Sequence, residues 1–154
     1  MSISSVDAGR VICKLSGWKA SNLRVQKILY IAYMHYLGRH KEHLIREDFE
    51  AWDHGPVEPK LYEFCSDFRR EPITDVFPYE NIKETNEKEF KILDDAVEWA
   101  RDKTETYLIK YTHSKSKGAW HKAYYKLNLR YEKIPYDLIV KEYETRKEEH
   151  ERKK

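Results

Sequence analysis

Phe49-Glu50-Ala51-Trp52-Asp53-His54-Gly55-Pro56-Val57-Glu58-Pro59-Lys60-Leu61-Tyr62 is the stretch whose reading decides the fold. Apolar Phe49, Ala51 and Trp52 come first, and Gly55-Pro56 then breaks whatever regular structure precedes it. Gly55 tolerates positive φ because it has no Cβ, and Pro56 biases it toward extended or turn geometry. Pro56 and Pro59 fix φ near −65°, which suits the first turn of a helix. The sequence therefore predicts a tight bend at 53–55 and a helix over about 57–68, burying Leu61, Phe64 and Phe68. Trp52, Gly55, Pro56, Val57 and Tyr62 read as scaffold, mostly inward, forming a joint between two packed elements, and Trp120 as a further scaffold residue that sets the packing of the bend.

Upstream of this joint, residues 1–4 are expected to fray. Ser5-Val6-Asp7 starts a helix that ends at Gly17, a good residue just past a helix C-terminus. Ser21 or Asn22 caps a second helix over about 23–37. Its apolar stripe (Val25, Ile28, Leu29, Ala32, Tyr36) is widened by Ile31 and Met34, which marks it as central. Residues 44–52 are ambiguous between short strands and irregular extended chain.

Downstream, Pro72 stops the helix after the joint, and residues 71–86 read as a long loop pinned by some of its apolar side chains. Asn86 opens a helix with Glu89 at the capping-box position and Phe90, Leu93, Val97 and Ala100 as its stripe. Thr104 caps a short helix through Tyr107, Leu108 and Tyr111, and another runs over about 119–126. Residues 131–134 suggest a short edge strand, and Pro135 starts the last helix. From Lys147 onward no apolar face remains, which predicts a solvated or frayed tail. The sum is a mainly α, compact single-domain bundle of six or seven helices with at most a two- or three-stranded sheet. The domain spans 5–145, followed by a charged tail over 146–154.

Composition narrows the function. The chain has 154 residues, the size of one domain. Its 29 Lys+Arg against 27 Asp+Glu give a formal charge of +2, so there is no general electrostatic case for nucleic acid. Cys13 and Cys65 lie among apolar residues and form no CxxC, so they read as buried reduced thiols. Asp7, Arg10, Lys14 and Lys19 interrupt residues 1–20, so no secretory leader is expected. No apolar run approaches the ~20 residues of a membrane span. The expected setting is cytoplasmic and reducing, away from membranes.

The joint also carries a resemblance. Residues 51–64, AWDHGPVEPKLYEF, resemble the signature of the Panacea domain, the SocA-like antitoxin family. The likeness continues backward into Leu23-Arg24-Val25-Gln26-Lys27-Ile28-Leu29-Tyr30, similar to that family's Leu-x-x-x-Lys-Leu-Leu-Tyr helix. It continues forward into Thr112-His113 and Ala119-Trp120, where alanine replaces the usual proline. The resemblance implies an antitoxin that neutralises a cognate protein toxin by stoichiometric binding, with the toxin encoded separately and adjacently. A proteolytic adaptor is the alternative among binding proteins, and an aromatic/basic nucleic-acid binder is the alternative from another class.

The residues themselves give little chemistry. No nucleophile elbow, phosphate loop or His-Glu-x-x-His is present, and Asp53-His54 at a turn reads as local turn bonding more readily than as an acid/base pair. His35, His40 and His43 complete no zinc pattern and are expected to be solvated, so neither a metal nor any cofactor is called for. His113 reads either as a histidine favoured by a helix C-terminus or as a hydrogen-bonded neighbour of the joint. Lys110, Lys115, Lys117, Lys122 and Lys126 interleave with Tyr107, Tyr111, Trp120, Tyr124 and Tyr125, the feature behind the disfavoured nucleic-acid alternative. The expected partner surface is a concave junction of Asp53, His54, Glu58 and Lys60 with His113, Lys117 and Trp120. Trp120, if one face is exposed, and Tyr124 one turn further on are its candidate anchors.

Overall fold

Asn22–His40 (α2) is the longest helix and the one the others surround. Its wide apolar stripe buries residues on every side, including Tyr30, Tyr33, Met34 and Tyr36. Ser21 caps it by accepting from Arg24 N at 3.2 Å, as the sequence suggests. The helix runs past its expected end and keeps Gly38 inside it, against the ring of Tyr143, where a side chain would not fit. The structure, a computed structural model, describes residues 2–77 and 86–153.

Among the described residues seven α-helices and one small sheet make up the fold. Ser5–Leu15 (α1) precedes α2. Then come Glu50–Trp52 (β1), Gly55–Val57 (β2), Pro59–Phe64 (α3) and a 3₁₀ turn at Ser66–Phe68. Glu87–Ala100 (α4), Glu105–Thr112 (α5), Ala119–His121 (α6) and Tyr136–Arg152 (α7) follow. The strands pair antiparallel, Glu50 with Val57, Ala51 with Pro56 and Trp52 with Gly55. α1, α4, α5 and α7 all pack on α2. The mainly helical class and the small sheet are as the sequence indicates.

Several local expectations give way. Ile3 is buried, because Ile3 N donates to Leu44 O and Arg46 N to Ile3 O, both at 3.0 Å. The helix predicted over 57–68 begins only at Pro59, since Val57 is committed to β2, and it breaks into the 3₁₀ turn after Phe64. Leu61 is buried as expected, but Phe64 is 38% exposed and turns its ring to Phe77. Residues 131–134 form hydrogen bonds with β1 but no strand, because Tyr131 takes φ +60° and breaks the ladder. The charged tail is largely solvated, as expected, but not frayed: it is helical through Arg152 and tied through Glu149 to Lys117. His35 is half-buried, edge-on to Tyr143, with its pKa pushed down to about 4 chiefly by burial. Of the loop expected over 71–86, Ile73 and Phe77 are buried and pin residues 71–77, and residues 78–85 lie outside the described residues.

Candidate functional site

Four sequence blocks that lie far apart meet at Gly55. Gly55 has φ +111°, and a Cβ there would stand 2.6 Å from Lys27 Nζ and 2.8 Å from His113 Nε2. Glycine is therefore required both by backbone conformation and by crowding. Lys27, from α2, is fully buried and donates to the His54 carbonyl at 2.6 Å. Burial pushes its ammonium pKa down to about 7. His113 is the residue just past α5, and its ring stacks on Trp120 with centroids 4.1 Å apart and planes 19° apart. Its pKa is lowered, chiefly by burial, which opposes the charged form that a helix C-terminus would favour.

Trp120 extends this contact in two directions. Its Nε1 donates to the Trp52 carbonyl at 2.7 Å, tying α6 to the end of β1. Its other face stacks on Tyr124, centroids 5.0 Å apart. After His121 the helix widens into a π turn over Lys122–Lys126, closed by Leu127 N donating to Lys122 O. That extra residue per turn brings Tyr125 edge-on to Trp120 as well. Tyr124 OH donates to Asp53 Oδ1, and the Arg130 guanidinium lies 4.5 Å above the Tyr124 ring. His113, Trp120, Tyr124 and Arg130 thus form one continuous stack beside the bend. Hydrogen bonds, first from Tyr124 and then from Tyr131, hold the exposed Asp53 carboxyl below its ordinary pKa.

Glu58 and Gln26 lock the far side of the bend. Gln26 Nε2 donates to Glu58 O at 3.1 Å, and Glu58 N donates back to Gln26 Oε1 at 2.8 Å. The Glu58 carboxylate caps α3, accepting from Lys60 N and Leu61 N, both at 2.8 Å. Glu58 is 2% exposed, with its pKa raised chiefly by burial, so it belongs to the scaffold and not to a water-facing rim.

The expected surface residues therefore divide. Asp53, His54 and Lys60 are exposed, but Glu58 is not. Lys117 is tied to Glu149 at 2.7 Å. Trp120 is 3% exposed and Tyr124 is buried, so neither presents a free face. Gly55, Pro56 and Val57 are inward as read. Trp52 and Tyr62 are not: the Trp52 carbonyl belongs to the joint, but its ring stands outside between Tyr62 (5.2 Å) and Tyr131 (5.6 Å). Tyr62 is 37% and Tyr131 52% exposed, which leaves an open aromatic face over the joint.

Sequence reasoning assigned no role to Lys27, Arg130 or Tyr131. Lys27 was detectable as the one lysine inside an otherwise apolar helix stripe, where a charge calls for a reason. Arg130 and Tyr131 left no such signal, because their role depends on how residues 130–134 cross β1. Among the described residues no cluster of three or more His, Cys, Asp or Glu side chains could hold a metal ion. No helix among them is long and apolar enough to cross a membrane.

These contacts define a mainly helical domain built on one buried bend-and-stack joint, with an aromatic face outside it. The chain belongs to the antitoxin SocA-like family with the Panacea domain, whose model matches residues 25–121. That membership suggests an antitoxin role, implies a toxin as partner in general terms, and suggests a role other than catalysis. No curated protein and no solved structure matches the chain.

Proposed function

We propose that this chain neutralises a cognate protein toxin by direct stoichiometric binding, through the aromatic face of Trp52, Tyr62 and Tyr131. The observation that carries the reading is the exposure of those rings on a rigid support. Interface energy concentrates in a few aromatic anchors ringed by weaker polar contacts. Here the anchors touch one another, the backbone beneath them is held by Trp120 and Lys27, and Asp53, His54 and Lys60 supply the rim. Large exposed aromatics on a fixed backbone lose little conformational entropy on binding. The partner is the product of a neighbouring reading frame, and the setting is cytoplasmic, which suits two free buried thiols.

The test pairs growth with folding. The neighbouring frame is expressed alone, with this chain, and with its Tyr62→Ala/Tyr131→Ala variant. The expected result is killing, rescue, and loss of rescue, with an unchanged thermal melt and affinity for the toxin weakened about 30-fold or more. Full rescue by the double variant would move the interface elsewhere. Absence of killing would overturn the adjacent toxin.

A further inference from the structure

α5 and α7 turn matching stripes toward a shared groove of about 610 Å³. Tyr107, Lys110 and Tyr111 lie three and four positions apart on α5, and Arg146 and Glu149 lie three apart on α7, with Lys153 just past its end. The groove is aromatic underneath and cationic above. Trp99 packs on Tyr111 with centroids 4.9 Å apart, and Tyr107 lies nearly parallel to Tyr111 at 6.2 Å, 45% exposed.

The charges split into those already used and those left over. Arg146 is balanced by the buried Glu142 at 2.8 Å and also donates to Tyr111 O at 2.6 Å, so it serves the fold. Glu149 accepts from both Lys117 (2.7 Å) and Lys153 (3.1 Å). Lys110 makes no ion pair among the described residues. Among the described residues Lys117 and Lys153 share one carboxylate and Lys110 has none, an excess of two charges in a chain whose formal total is only +2. The surplus of the whole molecule is equalled in this groove.

We infer that the α5/α7 groove is a docking site for an acidic segment of a protein partner, one that alternates carboxylates with an aromatic or aliphatic side chain. The lysines take the carboxylates, and the Trp99–Tyr107–Tyr111 floor takes the apolar side chain. Nucleic acid fits less well. Lys110 and Tyr111 close the last turn of α5 and Glu149 opens the last turn of α7, so this part of the groove is edged by helix-end carbonyls that lack intrahelical donors. A polyphosphate brings only acceptors to such a place, whereas a peptide brings N–H donors along with its carboxylates. The inference does not depend on the aromatic face at the joint.

The probe is a short fluorescein-labelled peptide alternating aspartate or glutamate with phenylalanine or leucine, titrated into the full chain by anisotropy. Saturable binding is expected, weakened about tenfold by Lys110→Glu/Lys153→Glu and also weakened by Tyr107→Ala. The thermal melt of these variants should stay at the parent value, and Tyr62→Ala/Tyr131→Ala should bind the peptide normally. Absence of saturable binding, equal binding by the charge-reversed chain, or tighter binding of a single-stranded oligonucleotide of the same net charge would each overturn the site.

Discussion

An ammonium group buried without a carboxylate partner is costly to keep charged. Lys27 is such a group: fully buried, bonded to the His54 carbonyl, and lowered to about 7 from an ordinary 10.5. Between those two values the unfolded chain holds a proton that the folded chain does not, so stability rises with pH across that window. Cys13 and Cys65 act in the opposite sense above 9.0, because burial lifts their thiols to about 12 and about 11. The informative range is therefore pH 7 to 9. Urea denaturation of the parent should show a gain of about 2 kcal/mol over that range. Lys27→Met should lack it, and parallel curves for the two proteins would sink the argument. The same scale shows how legibility failed at Trp52. Phe49 and Ala51 are buried while Glu50 and Trp52 are half-exposed, which is the period-two alternation of a strand. Only by leaving that stretch open between strand and irregular chain could the tryptophan be read as inward.

α7 carries the same lesson at the scale of an element. Hydrophobic periodicity made α1, α2, α4 and α5 legible, since each buries an apolar stripe. It is blind to docking through polar groups, and that is how the end of α7 is held. Glu142, a charged residue on a sparsely apolar helix, is 1% exposed. It accepts from Tyr30 OH at 2.6 Å, from Ala119 N at 3.0 Å and from Arg146 Nε at 2.9 Å. One carboxylate thus joins α7 to α2, caps the start of α6 and neutralises the arginine that reaches Tyr111. Removing it leaves a largely buried guanidinium unpaired. Glu142→Ala should cost about 3–5 kcal/mol in urea denaturation, and the exposed Glu144→Ala nothing comparable. A loss below about 1 kcal/mol would mean that Arg146 finds water or another partner. Residues 131–134 depart from the expected edge strand for a backbone reason. Their hydrogen bonds to β1 exist, but left-handed Tyr131 keeps them from continuing as a strand.

For the whole molecule, compactness was legible in the lack of a Pro/Gly-rich linker, while nothing in the sequence names the toxin that the family implies in general terms. The family match and the folded unit have different edges. Residues 25–121 begin inside α2, beyond its cap at Ser21, and stop within the Ala119–His121 turn, before the π turn. That segment contains Lys27, the bend, His113 and Trp120. It omits Tyr124 and Arg130 from the stack, and it omits α1 and α7. Ile3, Ile12 and Ile139 would be lost from the core, along with Cys13 and the Glu142 cap. At about 1.5–3 kcal/mol for each fully buried aliphatic side chain, the three isoleucines together represent about 5–9 kcal/mol, most of the margin of an ordinary domain. The fragment 25–121 should therefore show no cooperative transition in urea, although α2 within it retains some helical signal by circular dichroism. The full chain should unfold in one cooperative step, with all probes coincident. A cooperative melt of the fragment would show that α1 and α7 are accessories, and that the joint, with the helices it fastens, is a sufficient folding unit.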